Sequence, residues 1–296
     1  MGDLAADTAL TPADPADAGP ADAGPPPAGA CRRFTADVSP DWAIWGPNGG
    51  YIASLALRAA GVVTGRARPV SIVGHILGVA AFAPVDVEVT VLRTSRFASS
   101  ARVVLAQAGR PVVEALVWGI DPGGAALDHD AVPVPQVPPP EDVPSRAERL
   151  AAVPDDLRPP DMAFFHNLDQ RQLEWSDSWP PAGPLEPTIR WWTRFVPTAR
   201  FDDPWVDACR PLILVDTMGW PAASMAHAWQ GPSAVAVTVD LSVRFHRPAD
   251  DEWLLAEATA PLAAGGLVPA TGRVWDRSGA LLASGGQTMM CRPAPG

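Results

Sequence analysis

One order of predicted elements occurs twice along this chain of 296 residues, and the duplication restricts the folds open to it. Each half is predicted to contain a helix followed by about four antiparallel strands, and tight turns at Gln107–Arg110 and Asp276–Gly279 stand at matching places. A helix can cover the apolar face of such a sheet. The sequence therefore predicts an α+β protein built from two similar units.

The strands are predicted from runs in which apolar and polar residues alternate. They comprise Phe34–Val38, Val85–Leu92, Ala101–Ala106 and Pro111–Ile120 in the first half, and Val235–Phe245, Trp253–Ala260, Gly272–Trp275 and Leu281–Met290 in the second. A first helix is predicted over residues 52–63, with Asn48 or Gly49 as its N-cap and Gly61 or Gly65 at its end. A second helix is predicted to begin near Asp216, with Pro221 in its first turn.

Two proline-rich segments bound the predicted units. Residues 1–30 contain acids but no bases and show no apolar periodicity, so we expect a disordered tail, with a docking tail as the alternative. Residues 121–160 contain ten prolines, which disfavour regular structure apart from a helical turn or two over Ser145–Ala152. We therefore assign residues 31–120 to an N-terminal unit, 121–160 to a linker and 161–296 to a C-terminal unit.

Charge and cysteine usage narrow the class of protein. The 22 basic residues, all of them arginine, face 33 acidic residues, and a net charge of −11 argues against nucleic-acid and polybasic membrane-surface partners. Three scattered cysteines fit a reducing compartment. We see neither a signal peptide nor an apolar run of about 18 residues, so we expect a soluble, cytoplasmic protein without a membrane partner.

The common catalytic signatures are missing from the sequence. It contains no GxGxxG, GxxxxGK[ST], HExxH or GxSxG pattern, and its five histidines are too dispersed for a zinc site. We therefore expect no metal and no other cofactor.

Six short stretches carry a family resemblance. They are Pro47–Ala60, Gly109–Trp118, Val239–Pro248, Asp251–Leu255, Ala270–Trp275 and Leu282–Gln287. Their order and spacing resemble the double hot-dog acyl-CoA thioesterases of the type II class. The resemblance implies two fused hot-dog units, each a long helix wrapped by an antiparallel sheet, and hydrolysis of acyl-CoA without a covalent serine. It leaves the oligomeric state open, including a homo-oligomer, because one chain already supplies the paired unit.

The resemblance also implies three catalytic residues. An Asp, a Thr and a Gln hold the attacking water in that family, and Asp216, Thr238 and Gln287 are the matching positions here. A carboxylate can accept a proton from water, and the other two side chains can orient it. Each residue taken alone has a structural interpretation: a helix cap for the Asp, β propensity for the Thr and surface exposure for the Gln.

Substrate-binding positions are predicted at two places. The backbone N–H groups at the helix start formed by Asn48, Gly49 and Gly50 can stabilise an oxyanion, and glycine allows a carbonyl to approach closely. His246 and Arg247 match a His-Arg-Pro run near the acyl-CoA channel of relatives, with a structural role as the alternative. The stretch Ile76–Ala80 departs from the family pattern because it lacks an arginine.

Three functions therefore stay open. The first is hydrolysis of an acyl-CoA or acyl-carrier-protein thioester. The second is a dehydratase or hydratase, or another reaction on acyl thioesters, since one fold can serve several chemistries. The third is acyl binding without catalysis.

Overall fold

One antiparallel sheet of twelve strands runs through both halves of the chain. It is seen in a computed structural model that describes residues 1–18, 26–123, 126–155, 158–175, 181–228 and 234–294. Parts of the expected tail (19–25), of the expected linker (124–125 and 156–157) and the last two residues lie outside these ranges.

The strands of the described residues are β1 (Thr11–Pro12), β2 (Cys31–Asp37), β3 (Arg68–Ile76), β4 (Pro84–Thr94), β5 (Ala98–Gln107), β6 (Arg110–Ile120), β7 (Leu168–Gln172), β8 (Thr188–Phe195), β9 (Ala234–Phe245), β10 (Leu254–Thr259), β11 (Leu267–Asp276) and β12 (Leu281–Pro293). The helices are α1 (Leu4–Asp7), α2 (Gly49–Thr64), α3 (Arg146–Ala151), α4 (Pro204–Asp207), α5 (Cys209–Thr217) and α6 (Gly219–Met225).

The strand order shows the duplication directly. It reads β1-β2-β4-β5-β6-β3-β9-β12-β11-β10-β8-β7, so the two halves mirror each other across the β3–β9 pair. Strands β3 and β9 pair from Ser71 with Arg244 to His75 with Asp240. Helix α2 packs on the N-terminal strands, α5 packs on the C-terminal strands, and the two helices pack against each other. The predicted α+β class and the two helix-and-sheet units are confirmed.

Helix α2 follows its sequence signals closely. The Asn48 side chain accepts a hydrogen bond from the Tyr51 N–H at 2.9 Å, which satisfies one of the free donors at a helix start. The helix ends at Gly65, whose φ of 61° is the left-handed conformation that glycine adopts without strain. Both ends are therefore set by residues that the sequence pattern had marked.

The second helix starts earlier than predicted. Helix α5 begins at Cys209, so Asp216 lies in its last turn and not at a helix start. Leu212, Ile213 and Leu214 are almost fully buried in the core, and Pro211 stands in the first turn, where a missing N–H costs little. Pro221 does lie in a first turn, that of α6.

Residues 1–12 differ from the expected disordered tail. Leu4 is 3% exposed, and the Gly2 N–H donates to Asn167 Oδ1 in the C-terminal half at 2.7 Å. The Tyr51 hydroxyl at the start of α2 donates to the Asp7 carbonyl at 2.8 Å. One buried leucine and these long-range hydrogen bonds hold the segment, and neither is visible in its composition.

The proline-rich segment covers part of the sheet. Val132, Val134 and Val137 pack on the outer face of the C-terminal strands, against the cluster of Trp192, Leu255, Trp275 and Leu281. Trp192 Nε1 donates to the Pro138 carbonyl at 2.9 Å. The outer face of the N-terminal strands carries exposed Val73, Leu116 and Trp118 instead. In the described ranges, no helix is both long enough and apolar enough to cross a membrane.

Candidate active site

Asp216, Thr238 and Gln287, the three predicted catalytic residues, meet in the C-terminal half. Thr238 Oγ1 lies 2.9 Å from Asp216 Oδ1 and 2.8 Å from Gln287 Oε1. The Gln287 amide nitrogen donates to the backbone carbonyl of Asp216. Asp216 and Gln287 are each 4% exposed, and Thr238 is partly exposed. The three side chains thus form one connected polar cluster at the edge of the core.

A bulge in β9 turns Thr238 towards this cluster. Strand pairing with β12 matches Thr288 to Asp240 but Met289 to Thr238, so Val239 is an extra residue. Below the bulge the buried positions are Leu241, Val243 and Phe245, which alternate in the usual way. An extra residue reverses this alternation, so Thr238 shares the inner face with Gln287.

Glycines allow the surrounding backbone to approach the carboxylate and the amide. A Cβ on Gly219 would lie 2.3 Å from Gln287 Nε2, and a Cβ on Gly50 would lie 2.8 Å from the Ile213 Cα. A Cβ on Gly49 would lie 3.1 Å from both carboxylate oxygens of Asp216. Any larger residue at Gly219 or Gly50 would push the helices or Gln287 out of place.

The N-terminal half contributes the start of α2. The Gly50 N–H donates to Asp216 Oδ2 at 2.7 Å, and Asn48 Nδ2 lies 3.3 Å from the same oxygen. Asn48 Nδ2 also donates to Thr217 Oγ1 at 3.0 Å, a contact that no sequence pattern predicts. The Gly49 N–H, at the first helical position, has no acceptor among the described residues.

Burial dominates the electrostatics of Asp216. It raises the pKa of this carboxyl to about 6, against hydrogen bonds from Thr238, Gly50 and Asn48 that favour the charged form. The Thr238 hydroxyl has one hydrogen and faces two acceptor oxygens. It can satisfy both contacts at once only if Asp216 is protonated and donates to Thr238. The cluster is therefore poised to take up a proton near neutral pH.

His246 and Arg247 lie away from this cluster. His246 directly follows the end of β9 at Phe245, and the seven strand steps that separate it from Thr238, with the bulge residue left out, span roughly 23 Å at about 3.3 Å per residue. Its Nε2 contacts Ser284 Oγ at 2.9 Å, and Arg247 pairs with Asp130 at 2.9 Å. Their part in substrate binding stays a prediction.

A narrow apolar crevice, with room for about one water molecule, lies between α2 and the sheet. It is lined by Ala53, Ile72, Gly74, Ile76, Val113, Ala115 and Leu241. Ile76 connects the crevice to the polar cluster, because its Cδ1 would lie 3.0 Å from a Cβ on Gly49. Among the described residues, no group of His, Cys, Asp or Glu is arranged to hold a metal ion.

The fold and the cluster together define a class: a double hot-dog protein with one buried carboxylate beside a helix N-terminus. The family follows from the sequence itself. A model of the acyl-CoA thioesterase N-terminal domain matches residues 38–120, and one of the C-terminal domain matches residues 140–291. The chain belongs to the acyl-CoA thioesterase family and is a thioester hydrolase of that family.

Solved structures support the fold. An acyl-CoA thioesterase II from Mycobacterium marinum aligns with a TM-score of 0.74 at 20% identity, covering 99% of each chain. A hot-dog protein of unknown function from Alicyclobacillus acidocaldarius aligns with a TM-score of 0.75 at 23% identity over the whole of both chains. A dehydratase domain from Mycobacterium tuberculosis, solved with C12:1-CoA, aligns with a TM-score of 0.50 at 14% identity, covering 90% of this chain and 98% of that one. A search of curated proteins found no match.

Proposed function

We propose that this enzyme hydrolyses an acyl-CoA thioester through a water molecule held by Asp216, Thr238 and Gln287. The contact of these three side chains with one another carries the proposal. Asp216 acts as the general base, and its pKa of about 6 leaves it ionised at neutral pH yet able to take a proton.

The hydrogen-bond inventory supports a place for this water. A carboxylate accepts about four hydrogen bonds, and Asp216 already receives three, from Gly50, Asn48 and Thr238. When Thr238 donates to Asp216, Gln287 Oε1 is left without a donor. A water molecule can give one hydrogen to the carboxylate and the other to this amide oxygen, which aims its lone pair at a substrate.

The reaction needs no cofactor to balance. The water oxygen bonds to the thioester carbonyl carbon while Asp216 takes the proton, and the carbonyl oxygen becomes negatively charged. The Gly49 N–H, which has no acceptor among the described residues, donates to this oxyanion. The carbon–sulfur bond then breaks, and the departing thiolate takes the proton from Asp216. The products are a free acid and coenzyme A.

The crevice beside Ile76 supports a position for the acyl group. Its lining residues carry no polar side chain, and it starts next to Gly49, where the oxyanion would form. Because the crevice has room for about one water molecule, an acyl chain that follows its lining must displace Ile76, and its thioester carbonyl would then lie at the start of α2. Coenzyme A is the carrier in this proposal, and an acyl carrier protein is the alternative.

Release of free thiol tests the proposal. The purified chain is incubated with acyl-CoAs of several chain lengths and with one acyl-carrier-protein thioester, alongside an Asp216→Asn variant. Thiol release that the variant loses while staying folded supports hydrolysis. A hydrated or unsaturated product without free thiol indicates a dehydratase or hydratase, and saturable binding without turnover indicates an acyl-binding protein. Either of these results would overturn the proposal.

A further inference from the structure

Asn48 connects the start of α2 with the end of α5 and with Trp42, which precedes α2. Its backbone N–H donates to the Trp42 carbonyl at 3.0 Å, and its side-chain oxygen accepts from the Tyr51 N–H at 2.9 Å. Its side-chain nitrogen lies 3.3 Å from Asp216 Oδ2 and 3.0 Å from Thr217 Oγ1. The residue is 5% exposed, so these contacts are shielded from water.

The helix cap determines which way the Asn48 amide faces. The Tyr51 N–H is a donor, so the amide oxygen must point to it, and the NH₂ group must point to Asp216 and Thr217. A flipped amide would set two donors against each other at the cap and two acceptors against each other at the carboxylate. The orientation of the Asn48 amide at the Asp216 carboxylate is thus set by the hydrogen bond that caps α2 in the other half of the chain.

The Asp216 carboxylate is contacted by donors from α2 and from β9, and Asn48 is one of them. Helix α2 presents the Asn48 amide and the Gly50 N–H, and β9 presents the Thr238 hydroxyl. Gln287 on β12 faces Thr238 and the backbone of Asp216. No charged side chain among the described residues contacts the carboxylate. Neutral donors alone therefore stabilise its negative charge.

We propose that Asn48 is a positioning residue that holds the Asp216 carboxylate ionised and directed at Thr238, from the opposite half of the chain. An amide NH₂ can donate but cannot accept, so it favours the charged carboxylate over the neutral acid. This inference rests on the proposed function of Asp216. It adds that the cap of α2 and the charge state of the base depend on one side chain.

Two substitutions separate this role from helix capping. Asp and Ser are both good N-cap residues, so Asn48→Asp and Asn48→Ser keep the acceptor for the Tyr51 N–H. Asn48→Asp replaces the donor with a second carboxylate next to Asp216, and Asn48→Ser removes the donor without adding charge. Thr217→Val removes only the second partner of the amide and serves as the matched control.

The readout is the pH profile of kcat and of KM. For Asn48→Asp we expect the acid limb of kcat to move up by about one to two pH units, with an activity loss of about two- to tenfold at pH 7 that shrinks by pH 9. For Asn48→Ser we expect a smaller upward shift, with KM close to the parent value. Thr217→Val should change kcat by less than about threefold. Thermal melting of each variant shows whether it is folded.

A second readout keeps the inference separate from the proposed function. The Asp216 carboxyl is titrated by carbon-13 NMR in the parent and in both Asn48 variants, with Asp216→Asn used to assign its signal. A higher titration midpoint in Asn48→Ser, where no charge has been added, supports the role of Asn48 even if Asp216→Asn keeps hydrolytic activity, which would instead overturn the proposed mechanism. Folded variants with the parent's titration midpoint and pH profile would show that Asn48 is only a helix cap.

Discussion

The two halves of the molecule share a fold but differ in the residue that stands seven positions after the first residue of α2 and of α5. Asp216 stands seven residues after the first residue of α5, and the same offset in α2 leads to Ala56, which is 0% exposed. Asp216 meets the start of α2 through the Gly50 N–H, whereas the start of α5 brings the buried Cys209 thiol to the Trp205 carbonyl at 3.2 Å. Burial raises the pKa of Cys209 to about 12, so this thiol stays neutral.

The difference shows how a duplicated fold can specialise. The C-terminal half supplies the carboxylate, the hydroxyl and the amide, and the N-terminal half supplies a helix start whose N–H groups stabilise negative charge. The outer faces differ as well. The proline-rich segment covers the C-terminal strands, and exposed apolar side chains remain on the N-terminal strands. Four changes test this comparison.

Asp216→Asn should produce the largest effect. We expect kcat to fall by about 10³-fold, since a positioned general base contributes about 10²- to 10⁴-fold. The protein should stay folded, because an amide can donate to Thr238 and let Thr238 donate to Gln287. Asp86→Asn, on an exposed position of β4, is the matched control and should leave the rate unchanged. A rate within tenfold of the parent would show that the carboxylate is not the base.

Ala56→Asp places a carboxylate at the same offset from the start of α2. Ala56 is 0% exposed, so the new carboxylate would be buried, and we expect a loss of about 3 to 4 kcal/mol in the free energy of unfolding. Urea denaturation measures the loss, and Ala56→Ser controls for added volume. A variant as stable as the parent would mean that the buried interior of α2 accepts a charge as readily as the end of α5 does.

The pH dependence of stability comes next in size. The folded-state pKa of Asp216, about 6, lies above the ordinary value of 3.8, so the folded protein holds this proton more tightly than the unfolded chain. Its contribution is fully present below pH 4 and is lost as the pH rises to about 6 and above, by up to about 3 kcal/mol. The parent should therefore lose stability relative to Asp216→Asn over this range, as followed by denaturant unfolding at several pH values. Equal profiles would contradict the raised pKa.

Val134→Ala should give the smallest effect. We expect a loss of about 1 kcal/mol, because Val134 packs on the outer face of the C-terminal sheet. Val73→Ala, on the open outer face of the N-terminal sheet, should cost less than about 0.5 kcal/mol. Thermal melting of both variants compares the two faces. A larger loss at Val73 would indicate that another molecule covers that face.

Local signals predicted the features that depend on neighbouring residues. The cap at Asn48, the left-handed Gly65 and the turn with Ala108 at φ 48° and Gly109 at φ 72° all follow from short-range chemistry. The start of α5 was missed, because the apolar run Leu212–Val215 carries no sign that it is helical before Asp216. Residues 1–12 were missed because their order depends on contacts with Asn167 and Tyr51, far along the chain.

The candidate site shows the same limit. Resemblance to a family identified Asp216, Thr238 and Gln287, but strict alternation along β9 would group Thr238 with Asp240 and Ser242 on the outer face. The bulge that corrects this is a property of the pairing between β9 and β12. The contact between Asn48 and Thr217 likewise depends on how two distant helices pack.

The extra residue in β9 has a genetic consequence. Loss of the one codon for Val239 would remove the bulge and leave Asp240 opposite Thr288 and Thr238 opposite Met289, as they already stand. Plain alternation from Leu241 would then turn the hydroxyl of Thr238 inward without any irregularity in the strand. A deletion of three nucleotides at this codon is therefore one that the polar cluster can survive.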